Sequence, residues 1–105
     1  MALKAYQTVL TLGKLYKVNK KGAPSGAGEQ IVPNLYVNSG SVDVYVHNGA
    51  TQPAARANMV LEDTGLTGVE AFEIIPTYIS IIQNAGTTTE LVVSGLEVED
   101  LGVIS

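Results

Sequence analysis

Residues 41–47 read SVDVYVH. Val42, Val44 and Val46 share one side of an extended chain, and Ser41, Asp43, Tyr45 and His47 share the other. Strict alternation over such a stretch is the pattern of a half-buried antiparallel strand and does not fit a helix. Turn residues bracket it, with Asn38-Ser39-Gly40 before and Asn48-Gly49 after. Such a strand needs neighbours for its backbone groups and a cover for its valine face. The rest of the chain has to supply both.

It does so with more strands. Val, Ile, Thr and Tyr recur between Gly, Asn and Pro at short intervals. Strands are predicted over residues 3–12 and 14–18, on either side of Gly13. A Gly/Pro/Ser-rich segment, residues 19–28, reads as a flexible exposed loop. A strand over residues 31–37 is interrupted near Pro33, which suits an edge or a bulge. Residues 51–63 are ambiguous between a short helix capped by Thr51 and a loop followed by a strand near 59–61; the second reading is preferred. Gly65 and Gly68 mark a turn. Two strands, 69–75 and 78–84, flank Pro76, and Asn84-Ala85-Gly86 forms a further turn. In the last strand, 91–99, Leu91 and Val93 have opposite parity to Leu96 and Val98. A bulge at Ser94-Gly95 would return both pairs to the core. The motifs at Asn38 and Asn84 both read Asn-x-Gly, too short a pattern to establish a repeat.

The expected fold is therefore all-β: one antiparallel β-sandwich, jelly-roll or immunoglobulin-like, spanning residues 1–105. It would carry a bulge near Gly95 and short terminal arms at 1–6 and 101–105. A chain of 105 residues can bury a core without staples, and it has no cysteine for disulfides or thiolate metal sites. No signal peptide is visible, and no apolar run approaches the roughly 20 residues of a membrane helix. Synthesis and use in a cytoplasm, or assembly into a particle made there, is the expectation.

Charge narrows the function classes. Charged residues make up 15% of the chain and apolar residues 46%. So little charge on a small domain implies that part of its surface faces something other than water, unless Thr, Ser and Asn cover a monomer's surface instead. All five lysines lie at or before Lys21, whereas the rest of the chain carries Arg56 alone against ten acidic residues. This asymmetry suits either a basic arm or a strand face with solvated lysines, and the second is favoured. With one Phe, no Trp and a net charge of −4, nucleic-acid binding is not expected.

Reactive constellations are hard to assemble. His47 shares a strand face with Asp43 and Ser41, but Asp43 is about 13 Å away along an extended strand, too far for a triad. Acidic residues cluster at Glu62-Asp63, at Glu70 with Glu73, and at Glu97, Glu99 and Asp100, with nothing in the sequence to place them across a cleft. The spacing of a calcium loop is absent. The glycines at 22–28 follow the lysines rather than preceding them, unlike a phosphate-binding loop. No catalytic residue, metal ligand or cofactor is predicted.

Residues 15–46 carry a resemblance. They read LYKV, a Gly/Pro loop ending AGEQIV, and NLYVNSGSVDVYV. This line is similar to small β-sandwich domains in virion proteins of tailed bacteriophages, and the strand pair around Ile75-Pro76-Thr77-Tyr78-Ile79 resembles them in style. The resemblance implies a non-enzymatic virion structural protein: a capsid decoration or cement protein, or a small head–tail or baseplate component. It implies a major capsid or other virion protein as partner, and homo-oligomeric or lattice-repeated copies. Candidate contacts are Leu3, Tyr6, Lys20 and Lys21 on the N-terminal side and Leu101, Val103 and Ile104 in the apolar tail. A carbohydrate- or receptor-binding module, using Tyr36, Tyr45 and Tyr78 as an exposed face, is the alternative.

Overall fold

The computed structural model describes residues 7–19 and 33–105. Leu3, Tyr6, Lys20, Lys21 and nearly all of the 19–28 loop lie outside the described residues. The protein is all-β and antiparallel. Its strands are β1 (Gln7–Val9), β2 (Lys14–Asn19), β3 (Asn34–His47), β4 (Val60–Ala71), β5 (Tyr78–Ala85), β6 (Glu90–Ser94) and β7 (Glu97–Val103). They form one sheet in the order β1-β6-β3-β5-β2-β7, with β4 on the other edge of β3. Contacts between β1 and β7 bring the ends of this sheet together, so it nearly closes on itself.

The alternating segment is longer than its sequence pattern suggests. The turn expected at Asn38-Ser39-Gly40 does not separate two strands; β3 runs through it for 14 residues. What happens there is a sharp bend. Ser39 and Gly40 both take positive φ, 59° and 62°. Before the bend β3 pairs with β6, ending at Asn38 opposite Glu90; after it β3 pairs with β5, starting at Ser41 opposite Ala85. The single strand thus belongs to both limbs of a folded-over sheet. The bend also shifts parity: Leu35 and Val37 face the core before it, Val42 and Val44 after it.

β4 follows β3 around the corner. Gly65 and Gly68, expected to mark a turn between strands, lie inside β4 with φ of 69° and 68°. The expected strand over 69–75 stops at Ala71, where the chain leaves into a loop that Phe72 N–H ties to Pro33 O at 2.9 Å. The bulge expected at Ser94-Gly95 is instead a break between β6 and β7. Gly95, at φ 80°, lets the chain leave β3 and β1 and join β2, and the break turns Leu96 inward despite its opposite parity to Leu91 and Val93.

The main core lies between the limbs, where Val42, Leu35, Val93, Ile79, Ile81 and Leu96 are almost fully enclosed. Each contributes about 1.5–3 kcal/mol by leaving water. A second, smaller cluster covers the opposite face of β2 and β5. Leu15, Tyr78, Met59 and Ile104 pack there with Tyr45 and Leu101. The ambiguous segment 51–63 supplies this lid: a single 3-10 turn at Arg56–Asn58, then β4. Ser80, opposite both Leu15 and Tyr45, is 0% exposed and small enough to admit the Arg56 side chain. Arg56 Nη1 donates to Ser80 Oγ at 3.3 Å and to Ile104 O at 2.7 Å, and Arg56 N–H donates to Ser105 O at 2.7 Å. The apolar tail is therefore clamped onto the sheet.

The bend is held by close packing. The loop after β5 presses on it, and a Cβ on Gly40 would sit 2.9 Å from Ala85 O, while one on Gly86 would sit 3.2 Å from Gly40 Cα. Gly40→Ala is expected to cost about 2 kcal/mol or more, because steric overlap adds to the positive-φ penalty. Gly68→Ala, where a Cβ meets nothing within 4 Å, should cost about 1 kcal/mol. Urea unfolding of both variants checks the order; equal costs would contradict the packing argument. Arg56→Met should cost about 1–3 kcal/mol by leaving buried acceptors unpaired. It should also speed hydrogen exchange at Ile104 N–H, which donates to Gly13 O at 3.0 Å.

Candidate functional site

The bend of the β3–β4 hairpin opens a cleft of about 290 Å³ on its inner side. Leu35 from one limb of β3 and Val44 and Val46 from the other make its apolar floor, with Leu66 and Phe72. Around them stand Glu62 and Asp63 from the first limb of β4, Glu70 from its second limb, and Glu73 from the loop beyond. Two acidic clusters far apart in register are thereby brought to face each other across a cleft, contrary to the sequence expectation. The cause is the pair of positive-φ glycines between them, Gly65 and Gly68. All four carboxylates are exposed. Among the described residues, no group of three or more acidic or histidine side chains is placed to hold a metal ion.

Beside the cleft runs the length of β4. Among the described residues β4 pairs only with β3, and its 12 residues are exposed except for a half-buried Leu66. Apolar side chains stand open on it or next to it: Val60, Leu61, Val69, and Ile74 at 78% exposure. An edge strand with free N–H and C=O groups is a ready template for another strand.

Across the hairpin on the polar side lies a different cluster. Asp43 Oδ1 accepts from Thr64 Oγ1 at 2.8 Å, from Asn84 Nδ2 at 2.9 Å and from Gly65 N–H at 3.0 Å. Ser41 Oγ donates to Asn84 Oδ1 at 3.1 Å. The two Asn-x-Gly motifs, unlinked in sequence, thus meet in space. Next to them Ser39 Oγ donates to Thr87 O at 2.6 Å, which offsets the strain of its left-handed backbone. Gln83 Nε2 donates to Ser41 O at 2.8 Å, and its Oε1 accepts from Thr88 N–H at 2.9 Å. Asp43 and Ser41 therefore serve as cross-strand ties. His47 stacks at a tilt against Tyr78, ring centres 6.0 Å apart, and lies over Gly49.

The predicted contact residues separate in the structure. Ile104 is 7% exposed inside the second cluster and Leu101 packs against it, so both serve the fold. Val103, 84% exposed, is the residue of the tail that faces outward. The tyrosines do not form one exposed face: Tyr78 is buried, Tyr45 packs in the second cluster, and Tyr36 is at the surface opposite Val69. The cleft was missed because its carboxylates converge only through the bend. The signal available was two glycines three residues apart between two acidic pairs.

Compared with known protein families, characterised proteins and solved structures, the chain has no significant match.

The Thr64 hydroxyl first, then the Gly65 and Asn84 donors, hold the Asp43 carboxyl below its ordinary value. A depressed folded value means that its contribution to stability is complete above the ordinary carboxylate range. The contribution is lost as pH falls through the folded value. Asp43→Asn should therefore be less stable than the parent by a constant amount from pH 7 to about 5, with the gap narrowing below about pH 4. Urea unfolding across that range is the measurement; a gap that widens in acid would contradict the assignment.

Proposed function

We propose that this protein is a non-enzymatic structural subunit that docks on a larger assembly. A tailed-phage virion is its setting, and the role is that of a capsid decoration or cement protein, or of a small head–tail or baseplate piece. The observation that carries the reading is β4, a long edge strand with exposed Val60, Leu61 and Val69 beside an apolar cleft. A free edge of this kind supplies main-chain hydrogen bonds to a neighbour, and its apolar side chains supply burial. The scarcity of charge and the resemblance of residues 15–46 to phage virion domains point the same way. The commitment of Ser41 and Asp43 to holding strands together supports the non-enzymatic part. The partner on this reading is a major capsid or other virion protein, and copies repeat on its lattice, where many weak contacts add up.

Co-sedimentation tests it. The chain should pellet, saturably, with particles assembled from the structural proteins encoded beside it. Replacing Val60, Leu61 and Val69 together by Ser should lower the bound fraction about tenfold, since each loses apolar burial. Val103→Ser should have a smaller effect. A chain that stays in the supernatant with every such particle would overturn the reading.

A further inference from the structure

The cleft has charge of one sign only. Glu62, Asp63, Glu70 and Glu73 line it around the apolar floor, and among the described residues no Lys or Arg does. The described cations are engaged or placed elsewhere. Lys14 Nζ meets Asp100 Oδ2 at 2.9 Å between β2 and β7, Arg56 lies under Ser80 and Ile104, and Lys17 faces outward on β2. In the layer β7-β2-β5-β3-β4, β2 is two strands away from β3, which floors the cleft. Four carboxylates with no described cation among them raise the local concentration of cations, and the low-dielectric floor between them focuses that field. The floor itself favours an apolar side chain. Along the same wall runs the edge of β4 that no described strand pairs with.

Acidic residues alone are enough to guard an edge strand against self-pairing. Val60, Leu61 and Val69, exposed along the same strand, and Ile74, exposed in the cleft lining, work against such a guard. A guarded edge also has no use for a cleft with an apolar floor. The three features agree on one kind of occupant: backbone pairing for an extended segment, an apolar pocket for one of its side chains, and negative charge on both sides for its basic ones. Resting on the docking reading above, we infer that the cleft and the free edge of β4 take an extended strand of a partner protein. That strand carries Lys or Arg on either side of an apolar residue. Its backbone pairs along β4, its apolar side chain enters between Leu35, Val44 and Phe72, and its basic side chains lie against Glu62/Asp63 and Glu70/Glu73.

The probe is a labelled heptapeptide Thr-Lys-Thr-Val-Thr-Lys-Thr, whose two Lys and central Val share one face of an extended strand, with Glu in place of both Lys as control. A third peptide carries Pro in place of the central Val, which removes a backbone donor. Fluorescence anisotropy with the full chain should show the Lys peptide binding at least about tenfold tighter than the Glu peptide, and weakening as salt is raised. The Pro peptide should bind more weakly than its parent. The double variant Glu70→Lys, Glu73→Lys should lose about tenfold or more in affinity, whereas Lys17→Glu should change it little. Both alter exposed side chains, and a thermal midpoint close to that of the parent shows that the fold is kept. Equal affinity for the Lys and Glu peptides, or unchanged affinity in the double variant, would overturn the inference. Self-association of the chain that the double variant abolishes would overturn it too, by making a second copy the occupant. Particle co-sedimentation separates this inference from the broader reading. A double variant that still pellets normally sinks the cleft and leaves docking intact; a chain that binds the Lys peptide but pellets with no particle does the reverse.

Discussion

The bend at Ser39-Gly40, pressed against the loop that follows β5, is the constraint on which the rest of the structure depends. A Cβ on Gly40 has no room, because Ala85 O, Gln83 Nε2 and the Thr87 carbonyl carbon already surround the site. Glycine there lets one strand serve two limbs of the sheet. The same bend sets the parity that turns Leu35 and Val37 inward on one side and Val42 and Val44 on the other. It forces β4 to bend in parallel, which Gly65 and Gly68 permit. The polar groups around it, Ser39, Asn38, Gln83, Thr88 and Thr89, are cross-linked by hydrogen bonds, which brace the corner although it lies at the surface.

From that corner two consequences diverge. On the outer face of β2 and β5, the chain folds back and covers itself: the 3-10 turn, Met59 and Ile104 close over Leu15 and Tyr78, with Arg56 as the clamp. This accounts for part of the high apolar content, since both faces of those strands are buried. On the hairpin side nothing described covers β4, and its exposed valines and the acidic cleft remain. The described residues close the molecule at one end and leave β4 uncovered at the other. The proposed docking role rests on that uncovered side.

Much of the fold was legible residue by residue. The alternation of residues 42–46 gave the inward valines correctly, the inward turn of Leu96 agrees with an irregularity at Ser94-Gly95 that offsets its opposite parity, and the choice of loop then strand for 51–63 agrees with a lone 3-10 turn before β4. The errors share one physical origin. At 38–40 and at 65–68, glycines with positive φ were read as chain reversals, because the same backbone states occur in hairpin turns and in strand bends. At Gly95 the opposite happened, and a passage from one strand to the next was read as a bulge within one. Which of these a glycine makes is decided by whether neighbouring strands continue past it, and that information lies far away in the sequence.

The sequence by itself determined the all-β class, the inward faces of the strands and the shortage of charge, because alternation and composition are local properties. Only the tertiary structure decided that Asn38-Ser39-Gly40 and Asn84-Ala85-Gly86 press against each other. It also decided that Leu101 and Ile104 belong to the fold while Val103 faces outward, and that four acids from separate stretches share one cleft. Each of these depends on which strands become neighbours. Strand pairing joins residues tens of positions apart through backbone groups that every residue carries alike, so no side-chain pattern records it.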